Sequence, residues 1–266
     1  MTSTARSTGL ESHHNTGNGR RYGDMRDYMA SSQFQPHRAR QAIQDAHMKR
    51  TPSLIGYYAG LAVPITRWLA PIGSDWVWID WEHSAMNVET DYGMSIMVHE
   101  TAFMSNGRTI PFVRVPGHDE AMFAYALGAG ATIVAPYVET VEQAKPIVCT
   151  AIPIFGGPDR YPLNGQAAVI IQIESLEAIQ NLDAILTEHG TPVMYGSEPE
   201  WLEAVVLYRA TVEKHNKPHA GITLAKGDDL RKVASKTAMC ITAADTLELG
   251  ELMGDLAASK ETLALK

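Results

Sequence analysis

The chain has 266 residues, 45% of them hydrophobic and 20% charged, which is the profile of a soluble globular protein long enough for one α/β barrel. Its net charge of −8 argues against nucleic acid as a partner, and no apolar run is long enough to span a bilayer. Two cysteines, Cys149 and Cys240, make neither a disulfide framework nor a CxxC site. Both sit in apolar runs and read as small core residues of a reduced, cytoplasmic protein.

Residues 1–32 are rich in Ser, Thr, Gly, Asn, Arg and His and carry no periodicity, so they are expected to form a disordered N-terminal arm. Residues 33–266 are expected to form one domain, entered by a polar helix over 33–50. Short apolar runs then alternate with amphipathic segments. Strands are predicted at 54–60, 77–82, 109–115, 132–138, 168–174, 193–196, 221–225 and 238–243. Helices are predicted near 64–72, 88–105, 119–129, 140–149, 175–189, 198–216, 226–237 and 246–263. In the fifth of these Ser175 can cap, and Leu176, Ile179, Leu182, Ile185 and Leu186 recur at helical spacing. Gly128-Ala129-Gly130 precedes a strand and lacks a third glycine, so it reads as a helix C-terminal turn rather than a dinucleotide loop. Eight strand–helix units predict a (β/α)8 TIM barrel. Strand six, with only VMYG between two strong helices, is where the barrel is least complete in the sequence.

In such barrels the site lies at the C-terminal ends of the strands. Strand two runs as WVWID into Trp81-Glu82-His83; alternation puts Asp80 and Glu82 on one face and Trp81 and His83 on the other until the strand bends. Strand three ends in Arg114, strand four in Pro136-Tyr137, and strand five in Gln172 and Glu174. Each has a structural reading and a chemical one. His83 is either a satisfied surface histidine or, with Asp80 orienting it, an acid–base group. Arg114 is either half of an ion pair or the holder of a carboxylate or developing enolate oxygen. Glu174 either caps the helix that follows or, as a lone carboxylate inside the rim, serves Mg2+.

The segments VWIDWEHSAMN, PFVRVPGHD, ALGAGATIVAPYVETVEQAK and IIQIESLEAIQNLDAIL resemble the metal-dependent 4-hydroxy-2-oxoacid aldolases grouped with the citrate lyase β-subunit. SLIGYYAGLA, DWEHSAMNVET and EPEWLEAVV are similar to a branch of that family in fungal specialised metabolism. The resemblance implies a barrel of the phosphoenolpyruvate/pyruvate type and a homo-oligomer, commonly a hexamer, whose last helix swaps between subunits. It implies Mg2+, or another divalent ion such as Mn2+, holding a 2-oxoacid substrate whose enolate forms by aldol cleavage or oxaloacetate decarboxylation. It makes His83 with Asp80 the acid–base pair, Arg114 the enolate stabiliser and Glu174 a metal ligand. Trp81, Gln172, Pro136 and Tyr137 are expected to line the substrate pocket. The family's second metal carboxylate, an Asp after strand six, has no counterpart in VMYGSEPEW, where Glu198 or Glu200 is the candidate replacement. That departure raises an alternative, a catalytically impaired barrel acting as a binding protein.

Overall fold

The computed structural model describes residues 25–30, 36–61, 63–88, 93–150, 166–195 and 202–263. Eight parallel strands close into a barrel in sequence order. They are β1 (Leu54–Ala59), β2 (Trp76–Asp80), β3 (Ile110–Arg114), β4 (Thr132–Ala135), β5 (Val169–Ile173), β6 (Val193–Tyr195), β7 (His219–Ile222) and β8 (Met239–Ala244). The helices are α1 (Ala39–His47), α2 (Val63–Leu69), α3 (Met94–Met104), α4 (Glu120–Gly128), α5 (Val141–Thr150), α6 (Leu176–Glu188), α7 (Leu202–Lys214), α8 (Gly227–Ala234) and α9 (Asp245–Leu263).

Strand six is short but present. Its three residues pair with β5 on one side, and Val193 and Met194 pair with β7 on the other, so the barrel closes there. Strand seven lies two residues earlier than the sequence predicts, because HAGI rather than the more apolar GITLA makes the ladder to β8.

Strand alternation divides the core in two. Leu54, Trp76, Trp78, Ile110, Phe112, Val134, Ile170 and Met194 point into the barrel. Val77, Ile79, Val113, Ile133, Ile171 and Val193 point outward against the helices. Inside, Trp76 and Phe112 meet edge to face with centroids 5.3 Å apart, worth about 0.5–1.5 kcal/mol beyond their burial. The Trp76 indole lies so close to β1 that a Cβ on Gly56 would meet it at 2.6 Å, so only glycine fits there.

The helix over 33–50 shortens to α1 and is not simply polar. Ala39, Ala42, Ile43 and Ala46 follow helical spacing and join the interior cluster, so α1 plugs the barrel mouth at the strands' N-terminal ends. Residues 25–30, inside the arm expected from composition, are ordered against this plug. Met25–Tyr28 form a 3-10 turn, and the buried Tyr28 donates its hydroxyl hydrogen to Asp45 at 2.8 Å. The remainder of the arm, residues 1–24 and 31–32, lies outside the described residues.

The Ser175 cap is present, its Oγ accepting from the Ala178 amide at 3.0 Å. Ile179, Leu182, Ile185 and Leu186 are buried on α6, while Leu176 is exposed. At the other end of the chain α9 leaves Leu247, Leu249, Leu252, Met253 and Leu256 exposed.

Candidate active site

Asp80 and Arg114 are direct register partners at the C-terminal ends of β2 and β3. Both continue the inward-facing series of Trp78 and Phe112, so both side chains point over the barrel axis. The guanidinium forks onto the carboxylate: Nε donates to Oδ1 at 2.8 Å and Nη2 to Oδ2 at 2.6 Å. Asp80 is fully buried. It also accepts from the Tyr58 hydroxyl and from the amides of Glu82 at 3.1 Å and His83 at 3.3 Å. Burial alone would raise its pKa. The Arg114 and Tyr58 hydrogen bonds outweigh that and hold the carboxyl below its ordinary value. Arg114 is correspondingly driven further toward its charged form, against its own burial. Its guanidinium also lies 4.9 Å from the Trp78 ring centroid, a cation–π contact.

The two amides that turn toward Asp80 end the strand and bend the chain. That bend returns His83 to the inner side, where alternation alone would not put it. The imidazole is 65% exposed, and its Nδ1 lies 2.7 Å from Arg114 Nη2. Nδ1 is 3.6 Å from Asp80 Oδ2, too far for a hydrogen bond. The expected Asp80–His83 pair is within ion-pair distance, while the direct contact of Asp80 is to the His83 backbone and Arg114 stands against the ring. Since a guanidinium only donates, Nδ1 accepts, which assigns the imidazole proton to Nε2 in the neutral form.

Glu174 closes the opposite side of the rim. Its Oε1 accepts from Gln172 Nε2 and its Oε2 from the Tyr137 amide, each at 3.1 Å. Tyr137 reaches this position with φ of +52°, a left-handed conformation costly for a tyrosine, while its side chain is exposed. It thus contributes its backbone to the rim. Pro136 is buried, and its carbonyl accepts from His118 Nε2 at 2.6 Å. Gln172 is buried, and its Oε1 has no partner among the described residues.

Trp81 lies elsewhere. It packs among Ala59, Val63 and Met94 in the layer between sheet and helices, so the indole is core rather than pocket wall. Alternation dictates this, since the residue after an inward Asp80 faces out. Glu198 and Glu200 lie outside the described residues. Sequence reasoning missed Tyr58, and it named Glu82 at the strand end without giving it a role. Tyr58 faces inward on β1 opposite Trp78, and Glu82 lies 3.4 Å from Arg114 Nε and 3.5 Å from His83 Nδ1. The even spacing of Tyr58 from Leu54 and of Glu82 from Asp80 was the available signal.

Asp80, Glu82 and His83 each place a ligand atom within 4.8 Å of the others, a spacing that can hold a cation. Arg114 already saturates Asp80 and Nδ1, and its positive charge opposes a metal on that side. Glu174 has no ion pair to Arg114 among the described residues, and Glu82 approaches it only at Nε, at 3.4 Å. Burial first, and then the Glu174 and Asp80 charges, push the Glu82 carboxyl up, while Arg114 and His83 pull it down. Glu174 accepts only from neutral donors. The Glu82 and Glu174 carboxylates, which act on each other electrostatically, and the unpartnered Gln172 Oε1 are hard oxygen donors of the kind a divalent cation takes.

The model of the HpcH/HpaI aldolase/citrate lyase family matches residues 56–198, which include every rim residue described above. The chain belongs to the HpcH/HpaI aldolase/citrate lyase family. It is 31% identical over 168 residues to the 4-hydroxy-2-oxovalerate aldolase of Novosphingobium aromaticivorans, covering 56% of this chain and 62% of that one. It is 27% identical over 212 residues to the 5-keto-4-deoxy-D-glucarate aldolase of Klebsiella pneumoniae, covering 67% and 80%. The crystal structure of macrophomate synthase superposes with a TM-score of 0.77 at 26% identity, over 90% of this chain and 95% of that one. Membership places the chain among enzymes that make or break carbon–carbon bonds.

Proposed function

We propose that this protein is a divalent-cation-dependent carbon–carbon lyase or synthase that forms the enolate of a 2-oxoacid, with oxaloacetate decarboxylation as its first reaction. The observation that carries the reading is the Asp80–Arg114–His83 constellation: a locked guanidinium beside an exposed imidazole, facing the Glu82 and Glu174 carboxylates.

Glu174 and Glu82 would hold the cation, Mg2+ or Mn2+, with the Gln172 amide hydrogen-bonded to Glu174. When bound, the cation fixes the 2-oxoacid and withdraws electron density from its oxo group. The chain's own residues do the rest. As the C3–C4 bond of oxaloacetate breaks and CO2 leaves, the bonding pair moves toward the 2-oxo oxygen. Arg114 supplies fixed positive charge there. Asp80 keeps the guanidinium in place, so little reorganisation is needed at the moment of reaction. His83, once protonated to the imidazolium, gives one ring proton to C3, which yields pyruvate and the neutral ring. In a synthase direction the enolate would attack a carbon electrophile before protonation.

The exposed apolar residues of α9 favour a homo-oligomer in which a neighbouring copy covers that helix. Trp68, Ile72 and Phe103, on or beside the packed α2–α3 pair, are the exposed apolar surface suited to receive it. No described helix is long and apolar enough to cross a membrane, and the buried Cys240 is a free thiol, which fits a cytoplasmic enzyme.

The test is pyruvate release from oxaloacetate, with Mg2+ and with EDTA, after subtracting the Mg2+-only rate. Release that needs both protein and cation supports the reading. Folded protein that adds nothing to the Mg2+ rate overturns it and leaves the barrel as a binding protein.

A further inference from the structure

A cavity lies on the opposite face from the rim. It has a volume of about 360 Å3, at the small end of ligand pockets. Its walls come from segments that enter strands: the end of α7 with the loop into β7, and the end of α8 with the turn into β8, joined by His47 at the end of α1. His47 Nε2 lies 3.1 Å from the Asn216 carbonyl oxygen and 3.0 Å from its Oδ1, tying α1 to the α7–β7 loop. His219 Nε2 lies 2.7 Å from the Lys236 carbonyl oxygen, tying β7 to the α8–β8 turn.

The lining is strongly cationic in a chain of net charge −8. Arg209, Lys217, Lys232 and Lys236 line it with the two histidines, against one acid, Glu213. Lys232 is paired with Asp229 at 2.6 Å, and Lys217 reaches the Gly190 carbonyl at 3.5 Å. Among the described residues, Arg209 and Lys236 have no carboxylate within ion-pair distance. The half-buried His219 is disfavoured as a cation by its burial first, and then by Arg209, His47 and Lys49. These basic groups therefore act on a common space.

The geometry points to an anion-binding site on the N-terminal face of the barrel, gripped by Arg209 and Lys236, for a small phosphorylated metabolite. An arginine fork presents two parallel N–H donors to a phosphate, and a lysine adds a mobile point charge beside it. A cavity of this size takes a phosphate with a short carbon skeleton and excludes a polymer. The strands separate this cavity from Arg114 and Glu174, so occupancy is independent of the reaction at the rim.

The experiment is thermal unfolding of the full chain with inorganic phosphate or glycerol 3-phosphate, at pH 7.5 and constant ionic strength set with NaCl. At about ten times its Kd the ligand should raise Tm by roughly 3–5 °C. The shift should persist in Arg114→Ala, which removes the buried cation of the rim on the opposite face. It should vanish in Arg209→Glu/Lys236→Glu and in the milder Arg209→Gln/Lys236→Gln. It should survive in Lys145→Glu/Lys226→Glu, which changes net charge by the same amount elsewhere. A shift abolished by Arg114→Ala, retained in both Arg209/Lys236 double variants, or absent from the wild type overturns the proposal.

Discussion

Replacing Asp80 with Asn tests the frame on which the rim is built. The carboxylate is fully buried, and the Arg114 side chain is 10% exposed. Asn keeps the shape but loses the charge, and it turns an NH2 toward a group that only donates. Breaking one half of a buried, hydrogen-bonded pair costs about 3–5 kcal/mol, because the remaining charge stays desolvated. Glu82, 3.4 Å from Arg114 Nε, takes up part of that charge, which puts the loss at the lower end, about 3 kcal/mol. For a chain of this size that corresponds to a Tm lower by roughly 6–12 °C. The pH dependence adds a second readout. Asp80 has a depressed pKa in the folded state, so its stabilisation is present above the unfolded value of about 3.9 and is lost as pH falls through the lower folded value. Chemical denaturation of wild type should therefore weaken progressively below about pH 4, and D80N should show a flatter acid limb. A D80N protein within about 2 °C of the wild-type Tm, with an unchanged acid limb, would refute the claim that this pair anchors the site.

Four further outcomes follow from the same geometry. Arg114→Lys keeps a charge but loses the fork, and turnover should fall about 10²–10³-fold, as for loss of one oxyanion donor; steady-state kinetics on oxaloacetate check this. His83→Gln should abolish proton delivery while leaving Tm nearly unchanged, because the ring is largely exposed; matched kinetics and melting curves separate the two. Glu82→Gln and Glu174→Gln should each weaken Mn2+ binding by at least tenfold by calorimetry. The raised Glu82 carboxyl makes cation uptake in wild type release protons as pH falls toward that group's range, and E82Q should lose that component. Leu252→Glu on α9 should lower the oligomeric state seen by light scattering without disturbing the barrel's circular dichroism.

Most of the barrel was legible because its strands are near-continuous runs of Val, Ile and aromatic residues that lie buried on both faces. The ends were less so. β7 is HAGI, whose small residues carry little pattern, and the apolar Ile222 and Leu224 that drew the prediction later are exposed. α1 read as polar because its buried face is mostly alanine. At the site, strand-end reading located Asp80, Arg114, Gln172 and Glu174. It could not foresee that Arg114 would stand between Asp80 and the His83 ring, which depends on a backbone turn fixed by two amides. Trp81 is the opposite case: strand alternation alone points it away from Asp80 and into the outer core. Tyr58 was passed over because a tyrosine in a strand reads as packing, until its hydroxyl is seen to complete the shell around Asp80.

The central claim is that this rim makes and reprotonates a 2-oxoacid enolate. Exchange of the pyruvate methyl protons in D2O, followed by proton NMR, tests it without any choice of electrophile. The account predicts exchange that requires the protein and a divalent cation, stops with EDTA, and is lost in both His83→Gln and Arg114→Lys. Exchange that persists in those variants, or none from well-folded wild type with Mg2+ or Mn2+, would contradict it.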